Sequence, residues 1–202
     1  MLGGDLYFYV NVSTCARMFR LKSSMSVQIT YPGVSELEQI IDLYEVTWLD
    51  TYPNQEHGIT LQDIEDKNSA KPRSEKIALM KSYLESNKDN SKHFFQVAKL
   101  EDRVVGVCGG REEDDFVHMA TLYVLPTEQK RGVGGLLIQS FLDWAKSKNK
   151  PIRLHVVTYN KSAIRFYEKW GFCDNGKRFT EERFKMTSGN YLPEMEMIYN
   201  QN

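Results

Sequence analysis

HMATLYVLPTEQKRGVGGLLIQSFLDWAKSK, residues 118–148, decides the fold. It divides into three parts. An apolar run, HMATLYVLP (118–126), reads as a strand; QKRGVGG (129–135) is a glycine-rich turn; GLLIQSFLDWAKSK (135–148) is an amphipathic helix. A strand that passes through glycines into a helix makes an anion site. Glycines let the backbone turn so that successive N–H groups converge on one point. The first turn of the helix adds unpaired N–H groups and the positive end of its dipole. A ligand with phosphates is therefore expected on residues 129–135.

Strand and helix signals continue on both sides. Upstream, HFFQVAKL (93–100) and RVVGVCGG (103–110) are strands joined by a tight acidic turn, which predicts a hairpin, and residues 116–125 give a third consecutive strand. Downstream, IRLHVV (152–157) is a strand and NKSAIRFYEKW (160–170) a helix ended by Gly171. KRFTEERFKM (177–186) and EMEMIY (194–199) are read as the last two strands. In the first half, VQIT (27–30) is a short strand ended by Pro32 and Gly33. Ser35 with Glu38 forms an S-x-x-E capping box. The helix it starts places Leu37, Ile40, Ile41, Tyr44 and Trp48 on one face and stops at Pro53. LQDIEDKN (61–68) is a short helix, and PRSEKIALMKSYLESN (72–87) a longer one with Pro72 near its first turn. This order predicts a three-layer α/β fold. Its central sheet is mixed and mostly antiparallel, one right-handed crossover (118–157) makes a parallel pair, and helices cover both faces.

Composition narrows the function classes. With 202 residues, 41% of them hydrophobic, the chain suffices for one domain with a full core, expected over residues 26–202. The net charge of −1, without a basic face or tail, argues against nucleic acid as a partner. Cys15, Cys108 and Cys173 are odd in number and lack CxxC spacing, so neither a disulfide framework nor a zinc site is expected, and a reducing, cytoplasmic location is. No apolar run approaches the roughly 20 residues that cross a bilayer, so no membrane partner is expected. Residues 1–25 read differently: Asp5 is their one acid, and Arg17, Arg20 and Lys22 follow the short apolar run instead of preceding it, the wrong order for a secretory signal. A mitochondrial-type presequence and an extension ahead of a domain that starts near Met25 both remain open. The extension is the expectation carried forward, and a chain beginning at Met25 should then fold and work like the full one.

LYVLPTEQKRGVGGLLIQSFLDWAK resembles the acyl-CoA-binding motif of the GNAT superfamily of N-acyltransferases, Arg/Gln-x-x-Gly-x-Gly/Ala, with Gln129, Gly132 and Gly134 in register. Asn160, Ala163, Phe166, Tyr167, Gly171 and Phe172 resemble that superfamily's later N-x-x-A-x-x-F-Y-x-x-x-G-F signature. A glycine turn alone is a weak signal, but two motifs in the right order with one strand between them are specific. The resemblance implies a parallel pair that splays between strands 118–125 and 152–157, with acetyl-CoA as acyl donor. Its diphosphate would lie on Gln129, Lys130, Arg131, Gly132, Val133, Gly134 and Gly135. Its pantetheine arm would lie along the backbone of Leu122, Tyr123 and Val124, with Asn160 and Ala163 beside it. The N–H of Val124 would polarise the thioester carbonyl. Tyr167 falls at the general-acid position, and the implied mechanism is direct attack by an amine in a ternary complex, without a covalent intermediate.

The chain departs from many relatives in one respect. Their strand before the glycine turn often carries a glutamate, whereas HMATLYV has only His118 as a titratable group. His118 and bound water are the two candidate proton acceptors. His155 is read as packing, and no metal-ligand spacing is present, so no metal is expected. EEDD (112–115) is a solvated hairpin tip or a lure for a cationic amine. TWLDTYPN (47–54) falls where acceptor loops lie in the superfamily, so Trp48, Tyr52 and Glu45 are candidates for an amine pocket, with Trp48 equally suited to the core. Two functions compete. One is an N-acetyltransferase, monomeric or homodimeric, acting on a small or polyamine-like amine or on a protein amine. The other is a non-catalytic acyl-CoA-binding sensor. Tyr167 favours the first, and the missing strand glutamate favours the second.

Overall fold

The computed structural model describes residues 26–200; the expected extension, residues 1–25, lies outside the described residues. The elements run β1 (Val27–Thr30), α1 (Leu37–Thr51), α2 (Leu61–Ser69), α3 (Arg73–Asn87), β2 (His93–Leu100), β3 (Arg103–Glu112), β4 (Val117–Val124), α4 (Val133–Lys146), β5 (Ile152–Val157), α5 (Lys161–Lys169), β6 (Phe172–Phe179) and β7 (Glu194–Tyr199). The seven strands form one sheet in the order β1-β2-β3-β4-β5-β7-β6. All neighbours are antiparallel except β4 and β5. The three-layer mixed sheet expected from the sequence is the observed fold.

The core explains the layering. One face of the sheet buries Leu137, Ile138, Phe141 and Leu142 of α4 with Val105, Val117, Leu154 and Met197. The other buries Leu37, Ile40 and Leu43 of α1 and Leu84 of α3 with Phe95, Val97 and Val107. Close approach of α4 depends on Gly110, where an added Cβ would lie 2.5 Å from the Phe141 ring and 2.6 Å from the His118 carbonyl. Among the described residues no helix is long and apolar enough to cross a membrane.

Two local expectations are corrected. The capping box expected of Ser35 and Glu38 is not formed: Gly33 N donates to Glu36 Oε2 at 2.7 Å instead, and a 3₁₀ turn at Val34–Glu36 precedes the helix. The extended backbone at Gly33 leaves its N–H free to be reached from three residues on. Residues 177–186 are also not one strand. The β6 pairing ends at Phe179 opposite Glu194, and the chain then turns through a 3₁₀ segment at Glu182–Phe184. Met186 is buried together with Leu192 against Tyr52, Ile59 and Ile64, so residues 180–193 form a packed excursion between the neighbouring strands β6 and β7 instead of extending them.

What positions the site is the β4–β5 pair. It holds only from Val117↔Ile152 to Met119↔Leu154. On the opposite edge of β4 the register shifts, with Gly110 facing Met119 and Gly109 facing Thr121, so Ala120 is an extra residue. Such a bulge bends the strand, and beyond it β4 and β5 diverge without ladder bonds.

Candidate functional site

A cleft of about 820 Å³ opens where β4 and β5 part. Leu122, Tyr123, Val124, Gln129, Lys130, Gly132, Gly134, Gly135, Asn160, Ala163 and Tyr167 all line it. The fold thus brings the two sequence motifs to one place. In the turn, Lys130 (φ 61°) and Gly132 (φ 89°) are left-handed. Gly132 is the N-cap of α4 and offers no side-chain acceptor, so the first-turn N–H groups of the helix stay unpaired. Gln129 Nε2 donates to the Val124 carbonyl at 3.2 Å and ties the turn to the end of β4. Asn160 caps α5, its Oδ1 accepting from Ala163 N at 3.1 Å.

Two of the expected phosphate neighbours, Arg131 and Val133, contribute no side chain. Arg131 turns away to Glu128, which also pairs with Arg103 under the turn. Val133 is buried in the core and presents only backbone. Lys161 Nζ donates to the Thr158 carbonyl at 2.9 Å.

Tyr167 is 8% exposed and lines the cleft. Burial first, then the neighbouring Cys108 and Tyr123, push its phenol well above the usual value, so it stays protonated across the working range. On the acceptor side, Tyr52 and Tyr123 share a hydrogen bond of 2.7 Å between their hydroxyls, and Trp48 stands edge-on to Tyr52 at 5.0 Å. Of the expected acceptor residues only Tyr52 lines the cleft. Trp48 and Glu45 line a second cavity of about 610 Å³ between α1, α3 and the sheet, which shares Ala120 and Thr121 with the cleft. Glu45 is paired there with Lys76. EEDD does not line the cleft: Glu112 pairs with Lys150 and Lys148, and Glu113 with Arg111, as a hairpin tip would.

His118 lies at the closed end of the cleft and is 5% exposed. Burial, then the charges of His155 and Arg111, push it down to about 4, so the ring is neutral at pH 7. Beside it the fold gathers a polar cluster that sequence spacing did not reveal. The His155 ring lies 4.7 Å from that of His118. Its Nε2 is 3.4 Å from Glu196 Oε2 and its Nδ1 is 3.4 Å from Glu181 Oε1. Glu194 lines the cleft, is 5% exposed, and is pushed up to about 7 by burial and then by Glu181. His155, Glu181 and Glu194 place ligand atoms within 4.8 Å of one another, a group able to hold a metal ion. They come from β5, the 180–193 excursion and β7, so no local spacing could show them. One sequence signal existed: in EMEMIY, Glu194 and Glu196 alternate with methionines and so share one face of a strand.

Residues 38–172 match the model of the Acetyltransferase (GNAT) family. No curated protein matches significantly. Among solved structures, the PaiA N-acetyltransferase of Thermoplasma acidophilum in complex with coenzyme A has a TM-score of 0.61 at 19% identity, over 84% of this chain and 98% of that one. YncA of Salmonella typhimurium, a putative acetyltransferase solved with acetyl-CoA, has 0.60 at 17% identity, over 87% and 94%. The ribosomal-protein-S18-alanine N-acetyltransferase of Escherichia coli has 0.58 at 16% identity, over 86% and 93%.

Proposed function

The chain belongs to the GNAT acetyltransferase family, and from that premise we propose that it moves the acetyl group of acetyl-CoA to an amine, a small or polyamine-like one being favoured, by direct attack in a ternary complex. The observation that carries this reading is one cleft holding three things together: the splayed edge of β4, the bare amides of the 129–135 turn, and the hydroxyl of Tyr167. The diphosphate meets the N–H groups of Val133, Gly134 and Gly135 and the ammonium of Lys130. The pantetheine amides pair with the unladdered backbone of Leu122, Tyr123 and Val124, which would otherwise stand unsatisfied.

Chemistry follows from position. The Val124 N–H stabilises the oxyanion as the amine attacks. Tyr167, protonated throughout, donates a hydrogen bond to the departing thiolate and so stabilises it, since the thiol pKa of about 8.5 lies below that of the phenol. Leu122 to Val124 and Tyr167 hold the thioester, so the amine arrives from the side of Tyr52 and Glu194. Its proton leaves to cleft water or to His118, whose Nε2 has no protein partner.

Two measurements test this. Calorimetry of the folded chain with coenzyme A should show one site per chain. Incubation with acetyl-CoA and a panel of amines, followed by free thiol, should show release with at least one small amine. Tight coenzyme A binding with no release across a broad panel would support the sensor reading instead.

A further inference from the structure

Three buried polar atoms of cleft-lining residues have no hydrogen-bond partner: His118 Nε2, His155 Nδ1 and Glu194 Oε2. An unsatisfied buried polar atom is costly, and three in one cluster mark a place that a bound ligand would satisfy. The geometry of the cluster supports this. His155, Glu181 and Glu194 bring one ligand atom each within 4.8 Å of one another. His155 Nε2 faces Glu196, which is itself fixed by Asn175 and lies near Arg153 and Lys177. Its Nδ1 faces Glu181 Oε1 at 3.4 Å. The spacing equals the edge of a tetrahedron with bonds of about 2.1 Å, the length of zinc bonds to imidazole and carboxylate.

The geometry points to a divalent-cation site of the zinc class, made by His155 Nδ1, the Glu181 carboxylate and the Glu194 carboxylate, with Glu196 orienting the imidazole. The donor chemistry fits. One histidine and two carboxylates leave a fourth position open, and a carboxylate behind the ligating histidine fixes its ring. Arg183 binds the other oxygen of Glu181 and leaves Oε1 towards His155. His118, with its own orphaned Nε2, is the nearest further donor. Glu194 lines the acceptor end of the cleft, away from the 129–135 turn. An ion there therefore excludes the amine and leaves acetyl-CoA binding alone, a consequence that rests on the function proposed above.

The full chain, freed of metal with a chelator, is titrated with zinc chloride by calorimetry and equilibrium dialysis, with Co²⁺ as a visible-light probe. One ion per chain is expected at micromolar or tighter affinity, with visible Co²⁺ absorption of a four-coordinate site. Glu181→Gln and His155→Gln should each weaken zinc binding at least about tenfold, and Glu196→Gln about tenfold through the ring it orients. Coenzyme A affinity, measured on every variant, reports folding and should not move. Zinc should raise the KM of the amine and not that of acetyl-CoA. Absence of zinc binding below millimolar concentration, or tight binding that none of the three variants alters, overturns the site. Coenzyme A binding without zinc binding removes this inference alone; zinc binding without coenzyme A binding removes the acetyltransferase reading alone.

Discussion

Tyr167 owes its role to where its ring is buried. The ring packs against Phe166 and Phe172, and the hydroxyl reaches the cleft. Because burial holds the phenol protonated, the role proposed for it is that of a donor to sulfur and not of a base. Tyr167→Phe keeps the ring and removes only that donor. Turnover should fall at least about tenfold, equivalent to about 1.4 kcal/mol of barrier, with coenzyme A affinity nearly unchanged. Steady-state kinetics beside calorimetry measures both, and unaltered turnover takes Tyr167 out of the mechanism. At this scale the sequence was readable wherever neighbours in the chain are neighbours in space. Gln129, Gly132, Gly134, Asn160 and Tyr167 lie in two short stretches of chain, so the motif resemblance could single them out from sequence. His155 and Glu194 are joined only by the β5–β7 ladder, where Val157 faces Glu194 and His155 faces Glu196. No local pattern contains that pairing, and a histidine between Leu154 and Val156 looks like packing.

The glycine turn shows how an element makes an amide site. Helix α4 needs an N-cap, and its cap residue Gly132 sits at φ 89° with open space around its α-carbon. A methyl group there meets no neighbour, so any effect of Gly132→Ala is conformational. A left-handed alanine costs roughly 1–2 kcal/mol. Gly132→Ala should lower unfolding stability by about 1 kcal/mol and weaken coenzyme A binding, since relaxing φ swings the first-turn N–H groups aside. Urea unfolding with and without coenzyme A reads both effects, and wild-type values in both would show that the turn does not depend on this conformation. Most elements were legible: α1, α4 and the three-strand meander lie where apolar spacing puts them, and α3 begins just after Pro72, which marked its first turn. The two errors have a common physical source. Ser35 with Glu38 and Gly33 with Glu36 share one spacing, and the extended backbone at Gly33 decides that its N–H takes Glu36. The charged stretch after Phe179 has strand-forming residues but no partner strand, because β7 starts opposite Phe179 itself.

Across the whole molecule, the acceptor side depends on a long connection. Residues 180–193 carry Arg183 and Phe184 to the cleft and Glu181 to His155, and they are anchored to α2, more than 100 residues earlier in the chain, chiefly through Asp63. That carboxylate is 1% exposed. It accepts from Thr60 N at 2.9 Å and Thr60 Oγ1 at 2.7 Å, and from Ser188 N at 2.9 Å and Thr187 Oγ1 at 3.2 Å. Burial pushes Asp63 up, but the hydrogen bonds from Thr60 and Ser188 outweigh it and hold the acid well below the usual carboxylate range. The sign of the pH effect follows. A folded pKa below the unfolded value of about 3.9 gives stability that is complete above the unfolded value and is lost as pH falls through the folded one. Asp63→Asn turns an amide N–H towards donors and should cost about 1–3 kcal/mol at neutral pH. That deficit should shrink below about pH 4, as the wild-type carboxyl begins to lose its advantage. Urea unfolding of both proteins between neutral pH and pH 3 checks the trend. A deficit that stays constant down the series would mean that the effect comes from packing and not from the charge. The same variant loosens the 180–193 connection without touching the 129–135 turn. The KM for the amine should therefore rise while coenzyme A affinity holds, and equal losses in both would show that the two halves of the cleft are not held independently.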